Sequence, residues 1–316
     1  MSMISPNKQK EVVLIVGPTA SGKSALALEL AKKQALQNRQ SVIINADSAQ
    51  VYRDLQILSA RPTESEMEGV PHKLYGYING AEACSAARWA NDAKTAITSA
   101  HEKDHLPILV GGTGLYIRTL LNGIAPIPEI DPEIRAEIRA METMEAQTAL
   151  LAEDPISAKR LNPTDTSRIM RALEVVRSTG HPLDYWHQHM TGGIASDILL
   201  KPLILLPPRD WLYGRCDLRF EIMMNGGATD EVRHLLSLNL RNDCPVMRAI
   251  GVRDIAAMLR DEIDRDTAIS NAQMATRRYA KRQYTWFRNQ SPPEWKRLEE
   301  ILNNDIINNI ETILQY

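Results

Sequence analysis

The chain has 316 residues, 44% of them hydrophobic, with 37 lysines and arginines against 39 aspartates and glutamates for a formal charge of −2. That length and apolar content support one large or two modest folded domains and exclude a disordered chain, while the charge balance excludes a uniformly basic nucleic-acid coat. The polar start, Met1 to Lys10, lacks a signal-type apolar region and no window nears the roughly 18 apolar residues of a membrane span, so a cytoplasmic protein with no membrane partner is expected.

The first predicted element is a buried parallel strand over Val12–Val16. It runs directly into Gly17-Pro18-Thr19-Ala20-Ser21-Gly22-Lys23-Ser24, a full match to the P-loop pattern G-x-x-x-x-G-K-[ST], and Ala25 to Ala35 then carries helical apolar spacing. In such a loop the glycines let backbone N–H groups converge on phosphate oxygens at a helix N-terminus. Lys23 supplies a compact positive charge and Ser24 a hydroxyl for Mg²⁺. A phosphate-chain ligand is therefore expected, although the motif alone does not say that it is a nucleotide.

A second strand over Ser41–Ala46 ends in Asp47-Ser48-Ala49-Gln50-Val51-Tyr52. Ligands of open parallel sheets sit beyond the carboxyl ends of strands, so Asp47 lies near the phosphate site if the two strands are neighbours. It is then a carboxylate for catalysis or magnesium, or alternatively the cap of a turn. Arg61–Asn79 reads as loop and Ser85–His101 as an amphipathic helix. The third strand, Leu106–Gly111, leads into Gly111-Gly112-Thr113-Gly114, where glycines would bring backbone close to a ligand and Thr113 offers a hydroxyl, an N-cap, or both.

After Gly123 the composition shifts. A proline-rich linker precedes helical spacing without strands, over Pro132–Ala152 and Thr164–Ser178, which implies an all-helical insertion at residues 124–197 within an α/β core formed by 1–123 and 198–316. Arg168 and Arg171 share a helix face, as solvated surface unless a partner is shown. His181, His187 and His189 lack acidic or cysteine partners at ligand spacing and read as loop. Ile198–Leu206 returns the chain to the sheet, and Arg209–Met224 is a helix with Arg215 and Arg219 on one face. Cys84, Cys216 and Cys244 are widely spaced, without a C-x-x-C pair, which supports neither a disulfide framework nor a zinc site. A long helix from Asp264 to about Asn289 ends in Arg277-Arg278-Tyr279-Ala280-Lys281-Arg282-Gln283-Tyr284-Thr285-Trp286-Phe287-Arg288, basic and aromatic without an acid. The arginines are expected to face a ligand and the aromatics mainly to pack.

Taken in order, G-P-T-A-S-G-K-S, D-S-A-Q-V-Y, G-G-T-G-L-Y-I, R-A-I-G-V-R and A-K-R-Q-Y-T-W-F-R resemble the motifs of the tRNA dimethylallyltransferases, across roughly residues 11 to 290. The resemblance implies a P-loop NTPase-like parallel sheet flanked by helices and a monomer. It also implies transfer of a dimethylallyl group from dimethylallyl diphosphate to N6 of adenosine 37, in tRNAs reading codons that start with U. The P-loop residues Gly17, Thr19, Ala20, Ser21, Gly22, Lys23 and Ser24 would hold the diphosphate and hydrolyse no ATP. Asp47 looks like the general base, and Thr113, Lys23 and Arg219 look like catalytic partners, with Mg²⁺ bound through Ser24. By the same resemblance, the anticodon stem-loop is contacted by Asp47, Ser48, Ala49, Gln50 and Thr113, by Arg135, by Ser167, Arg168, Ile169, Met170 and Arg171, and by Arg248, Ala249, Ile250, Gly251, Val252 and Arg253.

The pattern departs from the family in three places. Leu58-Ser59-Ala60-Arg61-Pro62 stands for the usual G-T-A-K-P, Cys84-Ser85-Ala86-Ala87-Arg88-Trp89 for Y-S-A-x-x-F, and Gly76 lies where an Asp is usual after His72-Lys73-Leu74. No zinc-finger segment follows Tyr316, as in the short bacterial form. Two other activities remain on these residues alone: prenylation of free AMP, and a P-loop small-molecule kinase.

Overall fold

The computed structural model describes residues 10–315; residues 1–9 and 316, which the expected core domain includes, lie outside them. Within the described chain, residues 10–120 with 195–315 form one compact unit and Leu121–Ile194 a second.

The larger unit is built on six parallel strands: β1 (Glu11–Val16), β2 (Ser41–Asn45), β3 (His72–Lys73), β4 (Leu106–Gly111), β7 (Leu199–Leu205) and β8 (Lys296–Leu298), while the brief strands β5 (Gly123–Ile124) and β6 (Thr191–Gly192) pair elsewhere. The order across the sheet is β3-β2-β4-β1-β7-β8. Strands β1, β2 and β4 are buried almost throughout, which is why they read as continuous apolar runs rather than as alternation. Val13, Ile15, Ile43, Ile108, Val110 and Leu203 meet Leu26, Leu30 and Ala31 of the helix Lys23–Leu36 in one core. Ile310 and Leu314, from the last helix, complete that core.

β1 is not beside β2, because β4 lies between them, pairing Ile108 with Val13 on one side and with Ile43 on the other. Asp47 still reaches the P-loop end of the sheet because the chain beyond β2 stays zipped to β4: Ala46 N donates to Val110 O at 2.7 Å, and Thr113 N donates to Ala46 O at 3.2 Å. The segment 61–79, expected to be loop, contains the short helix Glu64–Met67 and β3, which pairs with β2. Glu64–Met67 is closed by a capping box between Thr63 and Glu66.

The smaller unit carries the helices Pro132–Ala140, Thr143–Glu153, Pro155–Arg160, Thr166–Thr179 and Leu183–His187. Asp131, Asp154 and Asp165 cap the first, third and fourth through their carboxylates, and prolines open the first and third. Ile138, Ala146, Leu150, Ala158, Ile169, Ala172 and Leu173 form its core. It is not all-helical: β5 and β6 pair antiparallel, Gly123 opposite Gly192 and Ile124 opposite Thr191, a ribbon too short to leave a period-two pattern. His181 stacks on Tyr185, its centroid 4.2 Å away, and His189 Nδ1 lies 2.8 Å from Tyr185 O, so two of the three histidines serve local packing.

Candidate active site

The P-loop turns on left-handed backbone. Ala20 has φ 64° and Gly22 φ 94°, while Gly17 at φ 150° lies against Leu205, whose carbonyl would collide with a side chain there. These turns deliver the chain to Lys23 at the first position of its helix. Lys23 is 9% exposed and its Nζ donates to Pro18 O at 2.6 Å. Burial pushes its pKa down to about 8; the Asp47 charge opposes that shift and Arg219 adds to it. Ser24 is exposed on the first turn, whereas the Ser21 hydroxyl is buried without a hydrogen-bond partner.

Arg219, on helix Arg209–Asn225, donates from Nη2 to Thr19 Oγ1 at 2.5 Å. Its pKa is lowered by burial, against the opposing influence of Cys216 and Asp47. A guanidinium does not give up its proton in a protein, so the cost of burying it stands until an anion shares the space. A buried lysine, a largely buried arginine and an orphaned hydroxyl converge on a loop of backbone amides, and one carboxylate offsets them. An anion with several oxygens answers all of these groups.

Asp47 accepts from Ala49 N at its Oδ1, 2.9 Å away, and its own amide donates to Asn45 Oδ1 at 2.8 Å. The capping alternative is thus present as a turn, without a helix after it, and the carboxylate also faces a cavity. Thr113 Oγ1 accepts from Ser48 N at 2.9 Å and donates to Ser48 Oγ at 3.2 Å. Its hydroxyl therefore fastens the turn that carries Asp47.

The cavity occupies about 420 Å³ in the larger unit. Thr19, Asp47, Ser48 and Arg219 form its polar side, Leu55, Leu58, Phe220, Met223 and Ile250 its apolar side, and Arg248 and Arg282 add two more cations. Lys23 and Thr113 are not on its walls; each acts from behind them. Gln50 is also behind, its amide donating to Ser59 O at 3.0 Å and Ala60 O at 2.9 Å.

The glycines of G-G-T-G do not open the backbone to a ligand, contrary to expectation. A side chain at Gly111 would strike the Ala46 backbone, one at Gly112 the Gln283 amide, and one at Gly114 the Trp286 ring. Gln283 explains this crowding, because it receives Thr19 N at 2.8 Å and donates to Gly112 O at 2.9 Å, tying the P-loop to the end of β4. The 264-residue separation of Thr19 and Gln283 leaves no local signal of this tie in the sequence. In the same helix, Arg265–Gln290, Tyr284 and Phe287 are buried and Arg278, Lys281, Arg282 and Arg288 exposed, while Arg277 is paired with Asp217 at 2.6 Å.

The expected RNA-contacting residues divide by burial. Ala49, Arg248, Ala249 and Ile250 line the cavity. Arg253 is exposed, but Val252 is 1% exposed and Gly251 is the buried N-cap of helix Val252–Leu259, at φ 92°, so the Val252 side chain serves packing. In the smaller unit, Ser167 and Arg168 are exposed, while Ile169 is fully buried in the core and Met170 packs on it. Their side chains hold the helix, and the helical period leaves Arg168 and Arg171 on its outer face. Arg135 and Arg171 meet around the buried carboxylate of Glu174, at 4.0 and 3.5 Å, together with Arg139 at 3.1 Å.

Among the described residues no set of three or more His, Cys, Asp or Glu is placed to hold a metal, and no helix is long and apolar enough to cross a membrane. The three cysteines are free thiols.

The family model described as IPP transferase matches residues 50–290. The chain belongs to the IPP transferase family. The tRNA dimethylallyltransferase of Erythrobacter litoralis is 61% identical over 288 residues, covering 91% of each chain, and that of Sphingopyxis alaskensis 58% identical over 308 residues, covering 96% of this chain and 99% of the relative. Among solved structures, the full-length tRNA isopentenylpyrophosphate transferase of Bacillus halodurans superposes with a TM-score of 0.69 at 33% identity, covering 97% of both chains. A eukaryotic dimethylallyltransferase acting on tRNA superposes with a TM-score of 0.74 at 27% identity, covering 88% of this chain and 69% of that one. The parallel sheet flanked by helices is therefore the P-loop-like fold of the tRNA prenyltransferases.

Proposed function

We propose that this IPP transferase transfers the dimethylallyl group of dimethylallyl diphosphate to N6 of adenosine 37, in tRNAs that read codons beginning with U. The observation that carries the reading is a single cavity bounded by the Asp47 carboxylate, by Arg219 bonded to Thr19 of the P-loop, and by an apolar wall. A phosphate end, an apolar stretch and a carboxylate match the three parts of the reaction: leaving group, prenyl group and acceptor proton. A kinase would have no use for the apolar wall. The tRNA acceptor is supported by the names of the relatives and by the eukaryotic enzyme acting on tRNA.

In the reaction, the N6 lone pair forms a bond to C1 of the prenyl group as the C1–O bond to diphosphate breaks. The electron pair leaves on diphosphate, and the N6 proton passes to the Asp47 carboxylate. General-base help of this kind contributes about 10²–10⁴ in rate. Lys23, Arg219 and P-loop amides other than that of Thr19, which Gln283 holds, stabilise the charge that develops on the leaving group. Thr113 keeps Asp47 in place through Ser48. Ser24, exposed on the first turn of its helix, would hold a magnesium ion together with phosphate oxygens of the donor. When bound, magnesium neutralises charge on the departing diphosphate.

The adenine reaches the cavity unstacked from the anticodon loop, past Arg248, Ala249 and Ile250. Arg135, Arg168 and Arg171 take phosphates of the stem, and the enzyme works as a cytoplasmic monomer. The reading is tested by offering three acceptors in parallel: an unmodified anticodon stem-loop, free AMP, and small-molecule acceptors with labelled ATP. Prenyl transfer to the stem-loop alone supports it; transfer to AMP, or phosphoryl transfer without prenyl transfer, overturns it.

A further inference from the structure

One stretch of the cavity wall is held from outside the cavity. Gln56 N and Ile57 N donate to Glu231 Oε1 at 2.5 and 2.7 Å, and Leu58 N donates to Oε2 at 2.8 Å. Three consecutive amides thus converge on one carboxylate of helix Ala228–Ser237, an arrangement of charge-assisted bonds that fixes a short run of backbone firmly. The side chains are seated with equal care. Ile57 Cδ1 lies 3.2 Å from where a Cβ on Gly227 would stand, and Leu58 Cδ2 lies 3.2 Å from the same position on Gly251. Ser59 Oγ then donates to Leu55 O at 2.8 Å, closing the turn. Leu55, Leu58 and Ser59 face the cavity, whereas Glu231 does not.

We propose that Glu231 is a positioning residue that fixes Leu55–Ser59 as a rigid stop for the prenyl chain, so that it selects a five-carbon over a longer allylic diphosphate. The inference rests on reading this cavity as the prenyl-diphosphate site. A wall pinned by three amides cannot retreat to admit a longer chain. A wall released from the carboxylate can, and it then also grips the short chain less well.

The test is steady-state prenyl transfer to an anticodon stem-loop from dimethylallyl diphosphate and from geranyl diphosphate, with wild type, Glu231→Gln, Glu231→Ala and Gly227→Ala. Glu231→Gln keeps shape while turning one acceptor oxygen into a donor, and Gly227→Ala disturbs the Ile57 seat and strains the backbone at φ 106° without touching charge. Circular dichroism identifies the folded variants. The expected result is a KM for dimethylallyl diphosphate raised about tenfold with kcat within about twofold, and a five-carbon to ten-carbon ratio of kcat/KM lowered about tenfold, less in Gly227→Ala. Folded Glu231→Gln with KM and ratio unchanged, or with only kcat reduced, overturns the inference alone. A wild-type enzyme that transfers no prenyl group overturns the reading of the cavity, and this inference with it.

Discussion

The Arg61 guanidinium stands where a side chain on Gly76 would have to go, with Nη1 2.6 Å and Cζ 2.8 Å from the position of a Cβ there. From that place Arg61 donates to Leu55 O at 3.3 Å and to Arg53 O at 3.1 Å, steadying the same turn that Glu231 holds. The absence of a side chain at Gly76 is what leaves room for the Arg61 fork. Gly76→Ala adds this collision to a left-handed backbone of φ 58°, and is expected to destabilise the chain by about 1–3 kcal/mol in urea unfolding. Combining it with Arg61→Ala relieves the collision but not the backbone strain, so the pair should recover part of the loss.

Asp47→Asn keeps the shape of the turn and removes the base. The expected outcome is a fall in kcat of about 10²–10⁴ with dimethylallyl diphosphate binding little changed, measured by single-turnover transfer and by inhibition with inorganic diphosphate.

Lys23 makes diphosphate affinity pH-dependent. Its pKa in the free protein is held at about 8 by burial, and a bound diphosphate raises it, so binding takes up a proton wherever the free lysine has lost one. Affinity is therefore fully present below pH 8 and is lost as the pH rises beyond it, by up to about tenfold per unit. Calorimetry with inorganic diphosphate between neutral and alkaline pH checks this. Lys23→Met is expected to bind weakly and to lose the part of the pH dependence that the lysine contributes.

Gln283→Leu leaves Gly112 O without its partner in a buried setting and Thr19 N without its partner in a half-buried one. Each orphaned group costs about 1–3 kcal/mol, so a loss at the upper end of single-residue effects is expected in the unfolding midpoint. A weaker grip on diphosphate should accompany it, because Thr19 carries the Arg219 contact.

Arg168→Ala and Arg171→Ala test the smaller unit. Each should weaken stem-loop binding and lower its salt dependence by about one phosphate contact, with the KM for dimethylallyl diphosphate unchanged. Salt titrations of stem-loop binding by fluorescence anisotropy give both quantities.

What could be read from the residues alone follows from the range of the physics involved. The P-loop was legible because eight consecutive residues specify a local backbone path, and β1, β2 and β4 because burial on both faces demands unbroken apolar runs. The order of those strands was not, since nothing in Ser41–Asn45 says that β4 will stand between it and β1. The glycines of G-G-T-G signalled close approach but not of what; the partners, Ala46, Gln283 and Trp286, come from distant parts of the chain. Glu231 was invisible for the same reason, being about as ordinary in sequence as any helical glutamate until three amides some 170 positions earlier meet it.

In the proposed reaction, Asp47, the P-loop and the apolar wall together move a prenyl group from diphosphate to an RNA base. The most direct measurement is mass analysis of the nucleosides of an unmodified tRNA with adenosine at position 37, after incubation with the enzyme, dimethylallyl diphosphate and Mg²⁺. The expected product is N6-dimethylallyladenosine at that one position, with an equal amount of diphosphate released and neither product formed by Asp47→Asn at a comparable rate. Unmodified adenosine with intact donor, or the same yield from Asp47→Asn, would contradict it.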